Sequence, residues 1–165
     1  MGAATYALFF LAGLAWWSLL EYLLHRWVFH GFPRTLGERH LKHHAHLHVR
    51  RLAVAPLATS VTGALLHAAI FLGLFGPARG LALLAGLLTG YGAYEWVHWS
   101  THYRVPKGAV MRALRRHHMI HHHAQQNARY GVTSPLWDWV FGTLPPAPGR
   151  GKAAAMRVGR QHLSP

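Results

Sequence analysis

Three long apolar runs constrain the fold of this chain more than any other feature. They cover residues 3–24, 56–75 and 80–97, and each contains at most one acidic or basic residue. A helix of about 20 apolar residues is long enough to cross the hydrocarbon core of a bilayer. Only 13% of the residues are charged, whereas soluble domains carry about 25%. The sequence therefore predicts an all-α integral membrane protein with about three transmembrane helices.

The predicted domain organisation is simple. We expect a single membrane-embedded domain over residues 1–149, followed by a basic, disordered tail over residues 150–165. The first apolar run has no basic segment before it and no small-residue cleavage site after it. We therefore expect it to be a retained span, because a secretory signal peptide carries both features.

The basic residues predict the orientation in the membrane. Residues 76–79 (GPAR) form a predicted turn between the second and third runs, and every basic residue except Arg79 lies between the first two runs or after the third. With three spans, those two regions share one side, which the positive-inside rule assigns to the cytoplasm. The net charge of +13 is then explained by topology and by anionic lipid headgroups. We expect a histidine-rich helical cap on the cytoplasmic side and no nucleic-acid partner.

Ten of the 16 histidines form four spaced boxes with the patterns HxxxxH, HxxHH, HxxxH and HxxHH. The boxes are His25 and His30; His40, His43 and His44; His98 and His102; and His118, His121 and His122. Residues three and four apart share one face of a helix, so most boxes can direct their imidazoles to one side. His25 and His30 would lie about 140° apart on an α-helix and fit best if the helix ends between them. The neighbouring His117 or His123 could replace one of the ten.

This histidine pattern predicts a pair of bound metal ions. Imidazole suits zinc, copper, iron and nickel, and ten ligands are too many for one ion but suitable for two. Oxidative chemistry requires a redox metal, so we expect iron functionally. Zinc is also possible in a purified sample, because it outcompetes ferrous iron for nitrogen ligands. No catalytic residue beyond the metal ligands is expected.

Three of the four acidic residues are candidates for supporting the metal ligands. Glu21 and Glu95 each lie one helical turn before a histidine of a box, namely His25 and His98. Metal-binding histidines commonly donate their second ring N–H to such a group, so we expect both carboxylates to play this part. Asp138 either hydrogen-bonds a ligand histidine or the nearby backbone, or caps a turn without any link to the metals.

The boxes and two further stretches resemble the fatty acid hydroxylase superfamily, which includes sphingolipid fatty acid 2-hydroxylases and sterol desaturases. The two stretches are residues 51–56 (RLAVAP) and 130–143 (YGVTSPLWDWVFGT), and the resemblance extends over roughly residues 21–143. It implies a di-iron centre, O₂ as oxidant and hydroxylation of the acyl chain of a membrane lipid. No segment resembles cytochrome b5, so the electrons are expected from a separate cytochrome b5-like or ferredoxin-like protein.

Three alternatives remain open from the sequence. Carotenoid β-ring hydroxylases are similar in the first two boxes, although they generally lack an ending like that of residues 137–143. A sterol or lipid desaturase could use the same di-metal scaffold. A metal transporter is the third alternative, and it would place its ligands near the middle of the spans.

Overall fold

The computed structural model describes residues 2–32, 36–147 and 149. These residues form helices joined by turns and loops, without a β-strand among them. The elements are α1 (Ala3–Leu23), which continues as a π-helix (Leu24–Phe29); α2 (Leu36–Ala45); a 3₁₀ turn (Arg50–Leu52); α3 (Leu57–Tyr103); α4 (Gly108–His123); and α5 (Leu136–Val140). The predicted all-α class is confirmed for this part of the chain. The predicted tail, residues 150–165, lies outside the described residues.

Helix α3 consists of two antiparallel arms that reverse at Gly76. This residue has φ 75° and ψ 169°, a conformation that favours glycine, and the following Pro77 lacks the N–H that would continue a helical ladder. The hydroxyl oxygens of Ser60 and Tyr91 lie 2.6 Å apart although 31 residues separate them. A straight helix would place these residues about 46 Å apart. The chain therefore reverses where the turn at residues 76–79 was predicted.

One compact unit comprises the chain up to Glu21 together with Val54–Trp96. Its buried core is formed by Trp17, Phe71, Leu83 and Leu87. A Cβ atom on Gly13 would lie 2.1 Å from the carbonyl oxygen of Leu83, and one on Gly86 would lie 2.0 Å from that of Phe10. Helix α1 and the second arm of α3 therefore touch backbone to backbone, as helices in membranes do through small residues.

In the described part of the chain, two helices are long and apolar enough to cross a membrane: Ala3–Phe29 and Arg50–Tyr103. Many of their large apolar side chains point outward, including Leu8, Leu65 and Leu74, which are each about two thirds exposed or more. Helices that are apolar on all sides are typical of a lipid environment when no protein covers them. These features support a membrane protein, while three crossings and a cytoplasmic cap stay predictions.

The second compact unit comprises the described residues of 22–53 and 97–149, and it contains all four histidine boxes. The buried ring of Tyr22 stacks on Phe141 with ring centroids 5.2 Å apart, and its hydroxyl lies 2.9 Å from that of Thr143. These contacts fix the segment after α5 beside the start of the unit. Gly37 allows α2 to begin against the preceding turn, because a Cβ there would overlap the carbonyl oxygen of Phe32 at 1.9 Å.

Candidate metal centre

The π-helical segment brings His25 and His30 to one face of the chain. The backbone N–H of His30 donates to the carbonyl of His25 at 3.2 Å, which is the i→i+5 bond of a π-helix. Because this wider turn stacks residues five apart, the two imidazoles converge where an α-helix would separate them. Helical structure ends at Phe29, between the two histidines as predicted, but the wider π-helical turn, which was not predicted, is what brings their rings together.

Helices α2 and α4 each divide their three histidines between two groups. In an α-helix, residue i+4 lies about 40° from residue i, whereas residue i+3 lies about 60° to the other side. The first and last histidine of each HxxHH box therefore act as a pair, and the middle one joins the other group. The pairs are His40 with His44 and His118 with His122, and the middle residues are His43 and His121.

The first group contains five imidazoles from the first, second and fourth boxes: His25, His30, His40, His44 and His121. The Nε2 atom of His40 lies 3.0 Å from that of His25 and 3.1 Å from that of His30. The Nε2 atom of His121 lies 3.1 Å from that of His30 and 3.2 Å from that of His44. All five ligand atoms lie within 4.8 Å of one another.

The second group contains the other five imidazoles: His43, His98, His102, His118 and His122. The Nε2 atom of His102 lies 3.1 Å from that of His43 and 2.9 Å from that of His118. The Nε2 atoms of His118 and His122 lie 3.0 Å apart. Together the two groups account for all ten histidines of the four boxes. That these ten bind metal ions stays a prediction.

The spacing of these nitrogen atoms fits a metal ion at the centre of each group. Imidazole nitrogen binds zinc at about 2.0–2.1 Å, so neighbouring ligands at right angles are about 3.0 Å apart. The observed separations of 2.9–3.2 Å match this value. Lone pairs facing one another at such distances repel unless a proton or a cation lies between them. The donor set and its spacing therefore suit two ions with nitrogen ligands.

Backbone carbonyls orient three of the ten imidazoles. The Nδ1–H groups of His25 and His121 donate to the carbonyls of Tyr130 and Ala128, at 2.5 and 2.7 Å. The Nδ1–H of His98 donates to the carbonyl of Ala53 at 2.9 Å. A neutral imidazole that donates from Nδ1 carries its lone pair on Nε2, so these bonds direct Nε2 toward the group. Such partners leave no signal in the sequence, because any residue type supplies a carbonyl.

Burial favours the neutral imidazole in the groups. Removal from water lowers the pKa of His43 to about 3 and that of His121 to about 3, against an ordinary value of 6.5. The same cause, with repulsion from neighbouring imidazoles, lowers the pKa of His118 and of His122 well below that value. Metal ions bind the neutral form of histidine, so the ligand atoms are in the required state at neutral pH.

The three predicted supporting carboxylates have different surroundings. Glu95 accepts a hydrogen bond from the backbone N–H of Ala55 at 3.2 Å, and Glu21 is buried; their role toward the imidazoles stays a prediction. Asp138 is fully buried and accepts a hydrogen bond from Nε2–H of His117 at 3.0 Å. His117 lies outside both groups, as does the exposed His123.

Comparisons with known proteins show which family the chain is similar to. Residues 10–143 match the family model described as fatty acid hydroxylase. The chain is 39% identical over 140 residues to a dihydroceramide fatty acyl 2-hydroxylase, FAH2, of Arabidopsis thaliana, which covers 81% of this chain and 59% of that protein. It is 34% identical over 147 residues to the fatty acid 2-hydroxylase of Homo sapiens, covering 83% of this chain and 39% of that protein.

A solved structure shows the same fold. It is that of full-length scs7p, in which only the hydroxylase domain is visible, and it matches with a TM-score of 0.78 and 27% identity over 90% of this chain and 60% of that chain. This chain thus spans between 39% and 60% of the length of these relatives. The family match covers most of the chain and includes all four histidine boxes, and the chain therefore belongs to the fatty acid hydroxylase family.

Proposed function

We propose that this chain is a membrane-bound hydroxylase that inserts a hydroxyl group into the acyl chain of a lipid. The observation that carries the proposal is the convergence of ten imidazole nitrogen atoms into two groups of five, each with the spacing of a metal-ligand shell. Relatives named as fatty acyl 2-hydroxylases support C2 of the acyl chain as the oxidised position. They also support a fatty acid or ceramide-type lipid as the substrate.

The metal ions would be held by the two groups, one ion each. A bound iron pair would supply the redox chemistry by which O₂, two electrons and two protons convert a C–H bond into C–OH and water. The chain's own residues keep the ligands in place and exclude water. His43, His118 and His121 are fully buried, and the ring of Phe29 stacks on His40 with centroids 5.3 Å apart.

The membrane orientation predicted from the basic residues is part of the same proposal. The segment 22–53 and the residues after α3 would face the cytoplasm, where a reduced electron carrier of the cytochrome b5 or ferredoxin type could supply electrons. The names of the relatives support hydroxylation rather than desaturation or carotenoid chemistry. The clustering of the ten histidines into two groups also argues against metal transport, which needs ligands spaced along a path through the membrane.

Hydroxylation can be tested with purified protein in lipid nanodiscs, reconstituted with iron and supplied with ceramide, O₂ and a reducing system. Mass spectrometry should detect a 2-hydroxyacyl product. His121→Ala should abolish the product, whereas His46→Ala should retain it, because His46 is exposed and lies outside both groups. A desaturated product would overturn the proposed reaction, and a product hydroxylated elsewhere would overturn the proposed position.

A further inference from the structure

Among the described residues, the turn around Arg129 orients two histidines, and both belong to the first group. The carbonyls of Ala128 and Tyr130, on either side of Arg129, accept the Nδ1–H groups of His121 and His25. Both of these histidines belong to the first group. The carbonyl that orients His98 in the second group comes from Ala53, in a different part of the chain. A displacement of residues 128–130 would therefore disturb two ligands of one group and leave the other group in place.

Arg129 has a backbone conformation that must be held by its surroundings. Its φ is 60°, a left-handed value that is uncommon for residues other than glycine and persists only when neighbouring contacts enforce it. Its backbone N–H donates to the carbonyl of Thr143 at 2.9 Å. Its side chain donates to the amide oxygen of Gln125 at 2.6 Å and to the carbonyl of Pro145 at 2.5 Å.

Asp138 holds the other half of the same turn. One carboxylate oxygen accepts the backbone N–H of Tyr130 at 2.7 Å, and the second accepts that of Gly131 at 2.9 Å. The Thr143 hydroxyl donates to this carboxylate at 2.8 Å. Gly131 is closely enclosed, since a Cβ there would lie 2.1 Å from the carbonyl of Ser134. The carboxylate therefore fixes the peptide that carries the Tyr130 carbonyl.

His117 connects this carboxylate to the arginine. Its Nε2–H donates to Asp138 at 3.0 Å, and its Nδ1 accepts from the Arg129 guanidinium at 3.3 Å. His117 is buried on α4, directly before His118. Through its ring, the helix that carries three ligands is joined to the turn that orients two.

We propose that His117, Arg129 and Asp138 form a positioning hub that sets the metal affinity of the first group selectively. The hub acts by fixing the two carbonyls that aim His25 and His121, and it contacts neither the substrate nor the ions. The inference rests on the proposed metal centre. It also gives His117 a role different from that of the ten histidines in the groups.

The test compares Asp138→Asn with the unaltered protein by elemental analysis and chelator competition in detergent. The asparagine side chain keeps one accepting oxygen but places an N–H₂ group where the second oxygen accepts hydrogen bonds, so it cannot accept all the bonds that the carboxylate accepts. Loss of a direct hydrogen-bond partner of a ligand histidine typically weakens metal affinity 10–100-fold, and displacement of the turn at residues 128–130 would remove such partners from His25 and His121. We expect the affinity for one of the two ions to fall by this factor and the affinity for the other to stay unchanged. Glu38→Gln is the matched control, because Glu38 is exposed on α2 and its replacement should leave both affinities unchanged.

Combined variants identify which ion responds. In a His40→Ala/His44→Ala background, which removes two ligands of the first group, Asp138→Asn should not change the affinity of the ion that remains. In a His118→Ala/His122→Ala background, Asp138→Asn should lower the affinity for the remaining ion 10–100-fold. An equal effect on both ions, an effect on the second ion or no effect would overturn the hub. Arg129→Gly, which keeps the left-handed conformation and removes the guanidinium, should act as Asp138→Asn does, and it decides the matter if that variant does not fold.

The outcomes also separate this inference from the proposed function. If the unaltered protein binds no ions after reconstitution, the metal centre itself is wrong. If it binds two ions and Asp138→Asn leaves both affinities unchanged, the metal centre stands and the hub is wrong.

Discussion

Two double variants of helix α2 test the division of the histidines between the groups. His40→Ala/His44→Ala removes two imidazoles from the first group and none from the second, whereas His43→Ala/His44→Ala removes one from each. Both variants remove two histidines from the same ten-residue helix. Their effects on general helix stability should therefore be similar, and a difference in metal binding reports the partition.

The size of the difference can be worked out from ligand numbers. Four-ligand structural zinc sites bind with about 10–16 kcal/mol, so one ligand contributes about 3 kcal/mol, or roughly a hundredfold in affinity. His40→Ala/His44→Ala leaves three imidazoles in the first group. It should lower the affinity for one ion by about 10⁴-fold and leave the affinity for the other unchanged. His43→Ala/His44→Ala leaves four in each group and should weaken both ions by about 10²-fold.

Chelator competition followed by elemental analysis distinguishes these patterns. The first variant should lose one ion per chain at a chelator concentration that leaves the second variant with two. At higher chelator concentration the second variant should lose both ions together. Identical titration curves for the two variants would refute the division into groups, as would simultaneous loss of both ions from His40→Ala/His44→Ala.

Three further outcomes follow from the structure. Gly86→Ala should destabilise the protein by about 1–3 kcal/mol, because the new Cβ would lie 2.0 Å from the Phe10 carbonyl; Gly92→Ala meets no atom within 4 Å and should leave the Tm in detergent unchanged or raised. Deletion of Val28 should convert the π-helical segment to an α-helix in which His25 and His30 are four positions apart and still share one face; metal analysis should then show both ions retained, and the loss of one ion would contradict this account of the π-helix. Removal of both ions by chelation should lower the Tm by roughly 10 °C per ion, since a ligand at about a thousand times its Kd contributes about 4 kcal/mol; an unchanged Tm would contradict a metal-stabilised fold.

The helical reversal within α3 could be predicted from the sequence, and the path of the chain through the first box could not. Glycine and proline at positions 76 and 77 interrupt the helical hydrogen bonds locally, so the local sequence is sufficient to predict the reversal there. The π-helix at Leu24–Phe29 has no comparable local signal. The one hint was the five-residue spacing of His25 and His30, and it was interpreted as a helix end. Helical structure does end at Phe29, between the two histidines, but the wider turn before that end is what makes the two imidazoles converge.

The members of the candidate metal centre were predictable, but their partition and their support were not. Spacing within each box indicates which imidazoles can share a face, and the structure brings all ten of them together. Which box contributes to which group depends on how α2 and α4 are placed, and this is a tertiary property. The orienting role of the Ala53, Ala128 and Tyr130 carbonyls could not be predicted from the sequence for the same reason. Carboxylates such as those of Glu21 and Glu95 can be identified in a sequence because few residue types carry an acidic side chain, whereas every residue has a backbone carbonyl.

The reciprocal use of the two HxxHH boxes explains why their spacing is so restrictive. Each box gives its outer pair to one group and its middle histidine to the other, so α2 and α4 each contribute ligands to both groups. A shift of either box by one residue would rotate its histidines by about 100° and remove ligands from both groups at once. A histidine-rich helix that bound a metal by itself would tolerate such a shift, because its own three- and four-residue spacings would be preserved. Because two helices must each contribute to both groups, the spacing within the boxes determines the rotational position of each helix as well as the ligands that it provides.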